Sequence, residues 1–141
     1  MMADEFVSSP GAFGWQMSNP SVLPMVTLAA SLELFDEATM PLLRAKSEAL
    51  TRYLELMLQQ ELPEGRCTVI TPGYERKTER GCQLSLVFDV PVRAVYQRLS
   101  EEGVIVDKRE PNVLRVAPAP MYNSFGDVRA FVETLRKVLT E

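Results

Sequence analysis

A chain of 141 residues, 46% hydrophobic and 24% charged, is one domain's worth of ordinary globular protein and long enough for a real core. Its formal net charge of −4 argues against nucleic acid as the main partner, because phosphate binding wants a basic face. Histidine is absent, which removes Ser-His and Cys-His nucleophile pairs and the common zinc sites, so no metal is expected.

No apolar run approaches the roughly 20 residues of a membrane-spanning helix. No basic-then-apolar leader opens the chain, so a cytoplasmic location with no membrane partner is expected. Cys67 and Cys82 sit in strand-like runs outside any C-x-x-C arrangement and read as buried, inert thiols.

Residues 1–20 carry Ser8-Ser9-Pro10-Gly11, Gly14 and Asn19-Pro20 without sustained periodicity, and they read as an extended, turn-rich segment. Residues 21–141 form the remaining domain. Ser21 is a candidate cap for a helix whose third position is Pro24, where a missing N–H costs little. Val22, Met25, Val26, Leu28, Ala29 and Leu32 cover much of that helix, which predicts that it is largely buried. A break near residues 36–39 precedes a longer helix to about Glu61. Leu43, Leu50, Tyr53, Leu54, Met57 and Leu58 recur there at three- and four-residue spacing, and Arg44, Lys46, Glu48 and Arg52 form a solvated remainder.

Pro63-Glu64-Gly65 ends the helix, and the period then changes. Residues 67–71 read as a short strand, 72–80 as a charged loop, and 82–89 as a half-buried strand with Leu84, Leu86 and Phe88 on one side. Pro91 starts a helix with Val92, Val95, Tyr96 and Leu99 inward, closed by Gly103. Residues 104–106 and 113–116 form two more strands, joined by a turn at Glu110-Pro111-Asn112. Ser124 with Asp127 approximates a capping box for the last helix, whose stripe is Val128, Phe131, Val132, Leu135, Val138 and Leu139. The expected fold is α/β, in the sense of a small α+β domain: a small, mostly antiparallel sheet with helices packed on one face.

Within the strand Val113-Leu114-Arg115-Val116, one arginine interrupts an apolar run. Charged residues are rarely buried without a partner, so Arg115 asks for an anion. Spacing alone favours a structural ion pair with Glu110 or Asp107. The alternative is a ligand carboxylate, which a guanidinium binds through two parallel hydrogen bonds.

Four blocks are distinctive beyond their periodicity: Gly14-Trp15-Gln16-Met17-Ser18-Asn19-Pro20; Phe35-Asp36-Glu37-Ala38 with Leu43-Arg44-Ala45-Lys46-Ser47; Arg80-Gly81-Cys82-Gln83-Leu84-Ser85-Leu86; and the run from Leu114 through Arg115-Val116-Ala117-Pro118 to Phe125. Together, and in this order, they resemble the C-terminal part of kynureninase over nearly the whole chain from about Phe6. Kynureninases are pyridoxal-phosphate (PLP) hydrolases of the aminotransferase-like fold (fold type I) that act in tryptophan catabolism, the kynurenine route to NAD biosynthesis.

The resemblance implies the small C-terminal domain of that fold over residues 21–141, with residues 1–20 facing the cofactor site. It implies that Arg115 binds the α-carboxylate of an amino-acid substrate, that Asn19 approaches the PLP phosphate, and that Ser18 beside it faces the substrate. Trp15 is read as packing, and Tyr122 and Asn123 as the corner before the last helix. No catalytic residue is expected here. The family's cofactor-bearing lysine lies N-terminal to these motifs, and Lys46, Lys77, Lys108 and Lys137 do not match it. The chain therefore looks like the final third of the enzyme, expected to be inactive alone, to need the large PLP-binding domain as partner, and to work within a homodimer. A non-enzymatic α/β binding or interaction domain derived from the same fold is the rival expectation.

Overall fold

The computed structural model describes residues 7–140. The first six residues of the segment expected over 1–20, Phe6 among them, lie outside the described residues. The chain divides into two compact units, Met1–Thr39 and Met40–Glu141.

In the first unit a 3-10 turn at Gly11–Trp15 leads through an extended stretch into α1, Val22–Ala38. Ser21 occupies the N-cap position with extended backbone, but its hydroxyl makes no capping bond. The expectation that this helix is buried is not met. None of its residues is buried, and Leu23 is 79% exposed. Its apolar side chains run round the whole cylinder instead of forming one stripe, so no single face can be hidden by one neighbour. The helix ends at Thr39, whose φ of 59° is an outlier for a β-branched residue.

The second unit holds α2 (Met40–Glu61), β1 (Cys67–Val69), β2 (Leu84–Phe88), α3 (Val92–Glu101), β3 (Asp107–Arg109), β4 (Val113–Val116) and α4 (Phe125–Thr140). The strands form one antiparallel sheet in the order β1-β2-β4-β3. Leu84, Leu86 and Phe88 alternate inward on β2, as Leu114 and Val116 do on β4. They meet Leu50, Leu54 and Leu58 of α2, Val95 and Leu99 of α3, and Val132 and Leu135 of α4 in one core. This is the expected α/β arrangement, with helices on one face of a small antiparallel sheet.

Local chemistry fixes the joins. At α4 the capping box is reciprocal: Ser124 N–H donates to Asp127 Oδ2 at 2.8 Å, and Asp127 N–H donates to Ser124 Oγ at 3.3 Å. The other end of α4 is met by arginines from outside the helix, Arg98 donating to Val138 O and Arg66 to Leu139 O. The side chain of Asn112 accepts from Val92 N–H and donates to Phe88 O, both at 2.7 Å, so the β3–β4 turn caps α3 and holds the end of β2.

The third strand is displaced from its expected place at residues 104–106. Gly103, at φ 78°, lets α3 end in a Schellman turn in which Val104 N–H donates to Leu99 O at 2.9 Å. That bond consumes Val104 as part of the helix end, and the charged Asp107–Arg109 pairs with β4 instead.

The expected charged loop over 72–80 is an ordered strap on α2. It contains a 3-10 turn at Tyr74–Glu79. Lys77 pairs with Glu48 at 2.7 Å, Arg44 donates to Lys77 O, and the Arg52 guanidinium lies over the Tyr74 ring. Arg80 reaches inward to Glu55 at 2.9 Å and to Pro72 O at 2.8 Å, and both charged side chains are buried. Cys67 and Cys82 are free and half-buried instead of fully buried, and burial pushes the Cys67 thiol up to about 12, so it is no nucleophile. Among the described residues no helix is long and apolar enough to cross a membrane, and no acidic, cysteine or histidine cluster could hold a metal ion.

Candidate functional site

The alternation of β4 decides where Arg115 points. Leu114 and Val116 turn into the core, so Arg115 between them takes the other, more exposed side of the strand. Register places Ser85 of β2 on one side of it and Asp107 of β3 on the other. Cross-strand neighbours on one face are within side-chain reach, and opposite charges there attract. Arg115 accordingly donates from Nε to Asp107 Oδ2 at 2.7 Å and from Nη2 to the same oxygen. Its Nη1 has no hydrogen-bond partner among the described residues.

Of the two acidic partners that spacing allowed, Asp107 is the one used. Glu110 pairs with Lys108 at 2.6 Å instead. A second cation also serves Asp107: Arg109 approaches Oδ2 at 3.1 Å. The hydrogen bond from Arg115, with the charges of Arg109 and Arg115 behind it, holds the Asp107 carboxyl below its ordinary value against a smaller opposing effect of desolvation. Two guanidinium groups against one carboxylate leave this edge net positive. The pair is open to solvent, with the Arg115 side chain 35% exposed, so it contributes little to stability.

Arg115 and Asp107 also line an open concavity of about 650 Å3 in which apolar walls, including Val104, Val106, Val116, Pro118 and Phe131, surround a few polar groups. That composition is typical of small-molecule sites. Asn123 and Asp127 reach it from the start of α4. Asn123 also ties the corner, its Oδ1 accepting from Ala119 N–H at 2.8 Å, as its reading as a corner residue expects. Sequence reasoning missed Asp127 as a lining residue of this concavity and Arg109 as a second cation on Asp107. Register against β4 is what brings Arg109 near, and register is invisible in a charged triplet.

Ser18 and Asn19 lie in the first unit, on the exposed stretch between the 3-10 turn and α1. Gln16 Nε2 donates to Ser18 O at 2.7 Å, which braces the backbone there. The Ser18 hydroxyl and the Asn19 amide have no partners among the described residues, so both are available as donors. Trp15 beside them is also exposed.

The four lysines fit surface roles. Lys77 and Lys108 are held by Glu48 and Glu110, and Lys46 and Lys137 are exposed. The hydrogen bond that Lys77 donates to Glu48 raises its ammonium pKa above the ordinary value, the opposite of what a nucleophilic lysine needs. Arg115 in the second unit offers an anion clamp, Ser18 and Asn19 in the first offer side-chain donors, and the Lys77 ammonium is not an amine suited to carry a cofactor.

The family model described as the kynureninase C-terminal domain matches residues 43–135. A kynureninase of Myxococcus xanthus is 51% identical over 134 residues, covering 95% of this chain and 31% of that protein. Those of Mus musculus and Homo sapiens are 47% and 44% identical over 137 residues, covering 92% of this chain and 29% of each protein. The chain thus spans about 31% of the length of the first of these relatives.

Proposed function

The chain belongs to the kynureninase family, as its C-terminal portion, and from that premise we propose that it is the small domain of a PLP-dependent hydrolase that cleaves L-kynurenine, or its 3-hydroxy form, with water to an anthranilate and L-alanine. Arg115 binds the α-carboxylate of the substrate, Asn19 donates to the cofactor phosphate, and Ser18 faces the substrate. Residues 1–20 face the cofactor site in this reading. A large domain supplies the cofactor-bearing lysine, and the assembled enzyme is a cytoplasmic homodimer.

When bound, PLP acts as the electron sink that labilises bonds to the substrate's amino-bearing carbon. What this chain contributes is positioning. A guanidinium fixed on a strand holds a carboxylate in one plane, which orients the remaining bonds of the amino acid and lowers the entropic cost of reaching a reactive geometry. The Asn19 amide fixes the other end of the assembly by a hydrogen bond to a phosphate oxygen.

One observation carries the reading. Arg115, within the Arg115-Val116-Ala117-Pro118 motif, has an Nη1 with no partner among the described residues while lining a largely apolar concavity. Its test is Arg115→Lys and Arg115→Gln in the full-length, PLP-loaded enzyme. Loss of a charge-assisted pair is expected to raise the KM for L-kynurenine by about tenfold to a hundredfold, with Lys the milder variant. Unchanged affinity for both variants would remove Arg115 from the site.

A further inference from the structure

The guanidinium of Arg115 has two edges on which a carboxylate can dock side by side. The lateral edge, Nε and Nη2, is spent on Asp107 Oδ2. The terminal edge, Nη1 and the second proton of Nη2, is not engaged by any described residue. An arginine side chain free in solution rotates about several bonds, and fixing such a chain on binding costs affinity. Asp107 fixes one edge beforehand.

Asp107 is itself braced, because Arg109 binds the same carboxylate oxygen at 3.1 Å. Register explains the line-up: Asp107 lies directly across from Arg115, while Arg109 lies across from Val113 on the same face of the sheet, two residues along β3. The carboxylate thus accepts from two cations and keeps its proton off, its carboxyl held below the ordinary value mainly by the hydrogen bond from Arg115.

Resting on Arg115 as the carboxylate site, we propose that Asp107 is a positioning residue, braced by Arg109, that grips the lateral edge of Arg115 and presents its terminal edge to the carboxylate of an α-amino acid. The opposite model, in which Asp107 is a resident counter-ion that the ligand must displace, uses the same contacts and makes the opposite prediction. Removing an orienting group weakens carboxylate binding, whereas removing a competitor tightens it.

The experiment is Asp107→Ala in the full-length, PLP-loaded enzyme, with Asp107→Asn as the shape-conserving second variant. Binding of L-alanine and of ethylamine, its counterpart without the carboxylate, is measured by calorimetry, together with kcat and KM for L-kynurenine. The expected result is a rise of about three- to tenfold in the L-alanine Kd and the kynurenine KM. Asn, which keeps an acceptor for Nε, gives a smaller rise, and ethylamine binding stays near its starting value. Arg109→Ala shifts the same quantities in the same direction by less, and adds nothing in the Asp107→Ala background.

Tighter L-alanine binding in Asp107→Ala overturns the proposal in favour of displacement. Equal losses for L-alanine and ethylamine overturn it in favour of a merely structural role. If Arg115→Gln weakens L-alanine and Asp107→Ala does not, the orienting role fails while Arg115 stands. If neither variant moves L-alanine, the carboxylate site itself is refuted.

Discussion

Arg80→Ala is the most informative single change to the scaffold. The Arg80 side chain is 3% exposed and that of Glu55 7%, and they meet at 2.9 Å. Breaking a buried pair from one side typically costs about 3–5 kcal/mol, because the charge left behind has lost its compensation. Arg52 still faces Glu55 at 3.6 Å and softens that loss, while the donor to Pro72 O disappears as well. The expected destabilisation is therefore near the lower end, about 3 kcal/mol. For a unit of about 100 residues this corresponds to a fall of roughly 12–24 °C in Tm. Urea unfolding followed by circular dichroism measures it. The paired replacement Glu55→Leu with Arg80→Met should stay within about 1 kcal/mol of the starting protein, since two packed apolar groups leave no orphaned charge. A loss below about 1 kcal/mol for Arg80→Ala would show that water already screens the pair, and the strap would then owe its order to its outer contacts.

Leu114→Ala, at a side chain with no exposed surface, should cost about 2–5 kcal/mol in the same assay; a loss under 1 kcal/mol would mean the core closes over the gap. Asp127 provides a pH test. The Ser124 backbone and hydroxyl donors depress its carboxyl below the ordinary 3.8, so its contribution is fully present above that pH and is lost as pH falls through the depressed folded value. Carboxyl titration by NMR should find Asp127 below 3.8, and Asp127→Asn should flatten the acid limb of the stability curve. A midpoint at or above 3.8 would refute the capping account.

The parts of the fold that were legible in the sequence are those written in local chemistry. Ser124 and Asp127, Gly103, and the alternation of Leu84, Leu86 and Phe88 each act within a few residues, so a short window contains the whole cause. What escaped depends on partners distant in the chain. Val104 to Val106 have the β-branched composition of a strand, but the end of α3 claims Val104, and the pairing falls to Asp107–Arg109. Charged edge strands are common because charge discourages pairing with other chains, and this is what hides them from a propensity reading. Arg80 and Glu55 are 25 residues apart, and nothing near either one marks it as buried. For the site, Arg115 stood out as a charge in an apolar strand, and register settled the choice between Asp107 and Glu110. The composition of α1 shows an apolar helix but not its exposure, because burial is a property of what lies alongside a helix and not of the helix itself.

Only three residues separate β3 from β4, and the strand that follows is read by twos. Gaining or losing a single codon between Glu110 and Leu114 would rotate the guanidinium into the oily interior and turn two aliphatic chains out to water. Parity, more than the identity of any one side chain, is therefore the quantity that inheritance must protect along this stretch. Indels here survive in pairs or behind a compensating bulge, and a transplant of this loop into another scaffold would have to carry its frame with it.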